Sequence, residues 1–159
     1  MSGRGSPSTV RSGDFEKVSD LLGFLLARKG LIDGRESEEF LRYYHSYARH
    51  FGKYTRFHYD NQLREVAEAI GRRRGVRILE VGSGCGTDAL WFAIKGASVV
   101  SIDPVEERLD VARALKRKLE GLMRRRFPLE FLPVSILDFQ GNPKPAALAL
   151  AKIWKEKTR

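Results

Sequence analysis

A single cysteine, Cys85, is the only thiol in the chain, so no internal disulfide is possible and a reducing cytoplasm is the expected setting. Long apolar runs are also missing. The strongest, LLGFLLA from Leu21 to Ala27, is bracketed by Asp20 and Arg28 and falls well short of the roughly 18–20 residues of a membrane span, so it reads as one face of a helix and no membrane is expected. The opening MSGRGSPSTVRSG has no apolar stretch of the kind a secretory signal needs. The three histidines, His45, His50 and His58, lack a Cys or carboxylate at ligand spacing, so no metal site is expected. Wholesale disorder is excluded too, because 42% hydrophobic and 10% aromatic residues among 159 suffice for one real core. That length predicts one domain with a short appendage.

Cations outnumber anions by 29 to 20, a net +9, and the excess is uneven. Between Val76 and Ala112 there are three basic and six acidic residues, whereas Arg113 to Arg126 holds seven basic and one acidic. Two runs stand out, Arg72-Arg73-Arg74 and Arg124-Arg125-Arg126. Basic runs meet polyanions through sequence-independent electrostatics, but they also suit the negative ends of helix dipoles. Neither is interleaved with aromatics as a single-strand platform would be, so nucleic acid is an open partner and not the favoured one.

Hydrophobic spacing divides the chain into a tail at 1–13, a helical segment at 14–74, an α/β segment at 75–139 and a basic C-terminal segment at 140–159. Helices are expected over Phe15 to Lys29, Ser37 to His50, with a Phe40, Leu41, Tyr44, Tyr47 stripe, and Asn61 to Ile70, where Asp60 or Asn61 caps the start and Gly71 the end. From Gly75 the pattern changes to short β-branched runs. VRILEV, Val76 to Val81, reads as a strand buried on both faces, followed by a glycine turn and a helix from Thr87 to Lys95. ASVVSID, Ala97 to Asp103, is a second strand. A helix then opens at Pro104 and stops at Gly121, and LEFLPV, Leu129 to Val134, is a third strand weakened by Pro133. Strand and helix in alternation predict an α/β, parallel sheet.

The segment RILEVGSGCGTDALWFA carries the chemistry: Glu80 closes a strand, Gly82, Gly84 and Gly86 follow at alternate positions, and a helix opens at Thr87. Glycines permit the sharp turn and let a ligand lie against main-chain N–H groups beside a helix N-terminus. Asp103, at the end of the second strand, is placed to accept hydrogen bonds from the two hydroxyls of a ribose. This arrangement resembles the class I, Rossmann-like S-adenosylmethionine-dependent methyltransferases, whose first motif is an acidic residue followed by G-x-G-x-G. The resemblance covers roughly Gly75 to Phe139. It implies a sheet with strand order 3-2-1 and helices on both faces, with the preceding helices as a cap over the cofactor. It also implies that Glu80 supports the amino end of S-adenosylmethionine, that Gly82, Ser83, Gly84, Cys85, Gly86 and Thr87 cradle its methionine part, and that Asp103, with Pro104 beside it, holds the ribose.

Where the family often has an adenine-binding acid after the third strand, VSILDF places Ser135; the Ser135 hydroxyl and the Ile136 N–H are the candidates there. A dinucleotide is the competing ligand, but its G-x-G-x-x-G fingerprint would need glycine or alanine at Thr87. Tyr54 and His58, in GKYTRFHYDNQ, are the candidates for a base over the cofactor, needed only if the acceptor must lose a proton. Cys85, inside the glycine loop, reads as a small buried residue.

The family's sheet normally has seven strands, with the fourth beside the first. No such strand is visible after Phe139, so a fragment, a partner chain or self-association at the open sheet edge is expected. Methyl transfer to a small-molecule acceptor is therefore the leading expectation. A non-catalytic cofactor-binding module that needs a partner, and an RNA methyltransferase, are the alternatives.

Overall fold

The computed structural model describes residues 10–28, 30–50, 53–136 and Asn142, with side chains at 45–50 and 53–59 outside that description. After a 3-10 turn at Ser12–Asp14 come helices α1 (Val18–Ala27), α2 (Gly34–His50) and α3 (Lys53–Arg72). Then β1 (Arg77–Val81), α4 (Thr87–Lys95), β2 (Ser98–Ile102), α5 (Glu106–Met123) and β3 (Leu129–Leu132) alternate. Strand β1 pairs with β2 and β2 with β3, both in parallel, with Arg77 opposite Ser98 and Val99 opposite Leu129. The result is a Rossmann-like α/β fold, an open three-stranded sheet in the order β1-β2-β3 with helices around it. None of these helices is long and apolar enough to cross a membrane.

One continuous core joins the helices to the sheet. Helix α4 is buried nearly all round, with Ala89 to Ile94 all in the core. The Trp91 indole N–H reaches out of α4 to the Phe15 carbonyl at 3.2 Å, which ties the N-terminal helices to the sheet layer. The stripe of α5 is buried through Leu109, Ala112, Leu115 and Leu119, as its helical spacing predicts.

Several boundaries differ from the sequence expectation. Helix α3 begins eight residues early, at Lys53, and runs through Gly71 to Arg72. Asp60 is thus interior to α3, and its carboxylate accepts from the Ser19 N–H at 3.1 Å and the Ser19 hydroxyl at 2.6 Å. It caps α1 from a distant helix, satisfying an N–H in the first turn. Leu41 is exposed, and Tyr44 carries the inward face of α2 with Phe40. Helix α5 starts at Glu106, one residue past its Val105 cap, so Pro104 lies outside it. The same helix continues through Gly121 to end at Arg124, whose left-handed φ of 50° closes the last turn.

Strand β1 is not buried on both faces. Leu79 is 39% and Val81 53% exposed, because among the described residues β1 pairs on one edge only and the face carrying its odd-numbered side chains is left partly uncovered. The basic segment at 140–159 lies outside the described residues, apart from Asn142.

Candidate functional site

The C-terminal ends of β1 and β2 hold the glycine loop between them. Gly82, Gly84 and Gly86 have φ of 79°, 54° and 76°, a left-handed region that any side chain enters at a cost. Here the alternating glycines are required by the backbone path. The N–H groups of Gly82 and Ser83 both donate to the Ile102 carbonyl, at 2.8 and 3.2 Å, and Gly86 N–H donates to the Ser83 carbonyl at 2.9 Å. Most of the loop's amides are thus spent on holding the loop. Gly86 also brings α5 and β3 close: a Cβ there would stand 2.7 Å from Ala112 Cβ and 2.8 Å from Phe131 Cε1.

Asp103 is buried, at 4% exposure, and its two oxygens accept from the Gly84 N–H and the Val105 N–H, each at 2.9 Å. The carboxylate is therefore a strut that fastens the loop to the start of α5. Its remaining lone pairs are what a ribose would have to use, since each carboxylate oxygen can accept more than once. Glu80 and Ser101 are partners across β1 and β2, and the Ser101 hydroxyl donates to Glu80 Oε2 at 2.6 Å. Burial raises the Glu80 carboxyl above its ordinary range; the Ser101 bond opposes this and the neighbouring Asp103 adds to it. A cationic group brought beside Glu80 would relieve that cost.

Cys85 is fully buried. Burial pushes its thiol up to about 12, with Arg108 opposing and Asp103 reinforcing the rise, so no thiolate is available as a nucleophile near neutral pH. Thr87 opens α4 and is hydrogen-bonded through its hydroxyl to Tyr44. Ser135 and Ile136 are half-buried in the stretch after β3, and Pro104 is exposed beside Asp103. Tyr54 and His58 fall within α3, not ahead of it, and their side chains lie outside the described residues.

Two side chains at this site, Tyr43 and Arg108, escape a reading of the motif alone. The Tyr43 phenol of α2 lies directly on Gly84, so that a Cβ at Gly84 would collide with Tyr43 Oη and Cζ. Arg108, in the first turn of α5, stacks its guanidinium 5.2 Å from the centroid of the Tyr43 ring. Two buried polar atoms here have no hydrogen-bond partner among the described residues, Ser83 Oγ in the loop and Arg108 Nε. Native proteins seldom leave such atoms unsatisfied, so each calls for a partner such as an ordered water, an ion or a ligand. The only sequence signal for Tyr43 was the aromatic pair with Tyr44, whose rings meet edge to face at 5.0 Å.

Apart from the loop, between α2 and α5, opens a cleft of about 340 Å³ whose walls include Glu36, Glu38, Glu39, Glu107 and Asp110 against Arg35 and Arg42.

Compared with known proteins, the chain matches no family model and no curated protein sequence.

Proposed function

We propose that this chain binds S-adenosylmethionine on the Gly82 to Gly86 loop and transfers its methyl group to a small-molecule acceptor. The observation that carries this reading is the buried, unpartnered Ser83 hydroxyl in a loop of three left-handed glycines, set between Glu80 and the start of α4. A loop built only to turn the chain would not bury a hydroxyl without a partner, which costs about 1–3 kcal/mol. The residues fit such a cofactor in charge as well. Glu80 favours a ligand that carries positive charge, and the N-terminus of α4, whose Gly86 cap has no side chain, favours a carboxylate.

When bound, S-adenosylmethionine supplies a methyl group on a sulfonium centre, open to in-line attack by an acceptor atom. The chain's task is then orientation. Ser83 Oγ donates to or accepts from the ligand, Glu80 holds its ammonium group, and Asp103 keeps the loop against α5 while accepting from a ribose hydroxyl. Tyr43 and Arg108 close the mouth over Gly84.

Calorimetric titration with S-adenosylhomocysteine tests the reading, with NAD as the control ligand and Ser83→Ala as the variant. Binding of the homocysteine compound and not NAD is expected, weakened about 3–10-fold in Ser83→Ala, the worth of one hydrogen bond. Ser83 is the better probe than Asp103, because removing Asp103 also frees two backbone N–H groups. A folded chain that binds neither ligand would overturn the proposal.

A further inference from the structure

In a parallel sheet every strand starts at the same end, and here each connection leading into a strand is basic. Arg73 and Arg74 precede β1, Lys95 closes α4 just before β2, and Arg124, Arg125 and Arg126 precede β3. The register brings these connections side by side: Ser98 N–H bonds the Val76 carbonyl at 2.9 Å, and Val99 N–H the Pro128 carbonyl at 2.8 Å. Arg125 crosses from one to the next, donating to the Ala93 and Ile94 carbonyls at 3.1 and 2.7 Å. The last turns of α5 add Arg117 and Lys118 to the same end.

The local anions include Glu65, which lines a surface hollow with Arg72 and Arg73, and two paired carboxylates. Glu68 pairs with Arg72, and Glu120 pairs with Lys116 and Arg126. Arg73, Arg74, Arg117, Lys118 and Arg124 are exposed, and among the described residues their side chains make no hydrogen bond or ion pair. Favourable helix ends account for part of such a pattern. They do not account for Arg124, which holds a left-handed backbone at a position where glycine is preferred.

We infer that this pole is a docking surface for the phosphate backbone of a duplex nucleic acid. Arginine predominates over lysine, as suits bidentate phosphate contact. The large aromatics nearby, Trp91, Phe92 and Phe127, are buried, so among the described residues no platform stacks the bases of a single strand, and the charge density of a duplex is the better match. An anionic membrane is the weaker partner, since the exposed large apolar residues described are Leu26, Leu41, Leu79 and Val81, none within a basic run, and surface insertion needs apolar anchors. The pole lies at the opposite end of the strands from Glu80 and Asp103, roughly 15–17 Å away along five residues of strand, so it recruits the polymer without presenting it to the glycine loop.

Fluorescence anisotropy with a labelled 20-base-pair duplex, as RNA and as DNA, tests this. Binding is expected to weaken about 500-fold between 50 and 200 mM salt, as for about five phosphates neutralised. The variant Arg73→Gln/Arg74→Gln/Arg124→Gly should lose more than tenfold in affinity and flatten the salt slope by about 2–3. A control with equal charge loss away from the pole, Arg28→Gln/Arg35→Gln/Arg42→Gln, should keep both, since Arg35 and Arg42 line the cleft between α2 and α5. Circular dichroism verifies that each variant is folded, and Arg124→Gly alone relieves backbone strain, so it remains usable if the triple variant unfolds. Preference for RNA or DNA identifies the polymer. Equal losses in pole and control variants would overturn the inference, as would single strands binding as tightly as duplex, or binding confined to phosphatidylserine vesicles. S-adenosylhomocysteine titration is indifferent to all of these.

Discussion

Glycine does two different things in the Gly82 to Gly86 loop, and substitution separates them. At Gly82 a Cβ would meet nothing within 4 Å, so the cost of alanine there is the left-handed backbone alone, φ 79°, about 1–2 kcal/mol. At Gly86 the same backbone cost is joined by collisions with Ala112 and Phe131, which are buried and cannot retreat, adding about 1–3 kcal/mol of overpacking. Urea unfolding of Gly82→Ala and Gly86→Ala should therefore rank them in that order, with Gly86→Ala less stable by at least about 1 kcal/mol. Equal losses would mean that α5 and β3 do not close on the loop. The contrast bears on function because Gly82 faces open space, where a ligand can approach, whereas Gly86 is a packing position.

Helix α4 sets an ionisable group where its start enters the core. Burial pushes the Asp88 carboxyl up to about 7, against about 4 in an unfolded chain. Below pH 4 both states are protonated and stability from this source is intact. As pH rises from about 4 to about 7 the unfolded chain ionises first and stability is lost; above 7 the loss is constant. Asp88→Asn carries no such slope, so its stability relative to the parent should climb through that window by on the order of 2 kcal/mol, followed by urea unfolding at pH 4, 5.5 and 7.5. A flat difference would place the carboxyl in water. Asp88 belongs to the part of the chain that sequence reveals best, since the Thr87 to Lys95 helix, its glycine flanks and the three strands follow from local spacing and from residues that only one backbone suits. What escaped was tertiary. Nothing local foretells that Asp60 caps α1, so it read as the cap of its own helix. The β-branched β1 could not announce that one face lacks a neighbour. Glu80 and Ser101 become partners only through the register of β1 on β2, and Tyr43 meets Gly84 only once α2 lies over the loop.

Taken whole, the molecule separates its charge along the strands, with carboxylates around the glycine loop and cations where the strands begin. In sequence the two arginine runs are some fifty residues apart and each reads as an ordinary helix end; the parallel sheet is what adds them together. Five cations that have no ion pair among the described residues stand at one pole and repel one another, and this leaves part of the folding free energy open to recovery by any anion that binds there. Sulfate, divalent and tetrahedral like a phosphate, is the simplest such anion. At 50 mM it should raise the unfolding midpoint above that in sodium chloride of equal ionic strength, by about 2–4 °C if it binds with a dissociation constant near 10 mM, since that is worth about 1 kcal/mol. Sulfate also strengthens burial in any protein by exclusion from its surface, so the decisive quantity is the difference between parent and variant. The general effect persists in Arg73→Gln/Arg74→Gln/Arg124→Gly, while the site-bound part disappears, and the sulfate increment should shrink by more than half. An undiminished increment in that variant would show that the cations at this pole are separately solvated and gather no anion, and the polymer surface inferred from them would fall with it.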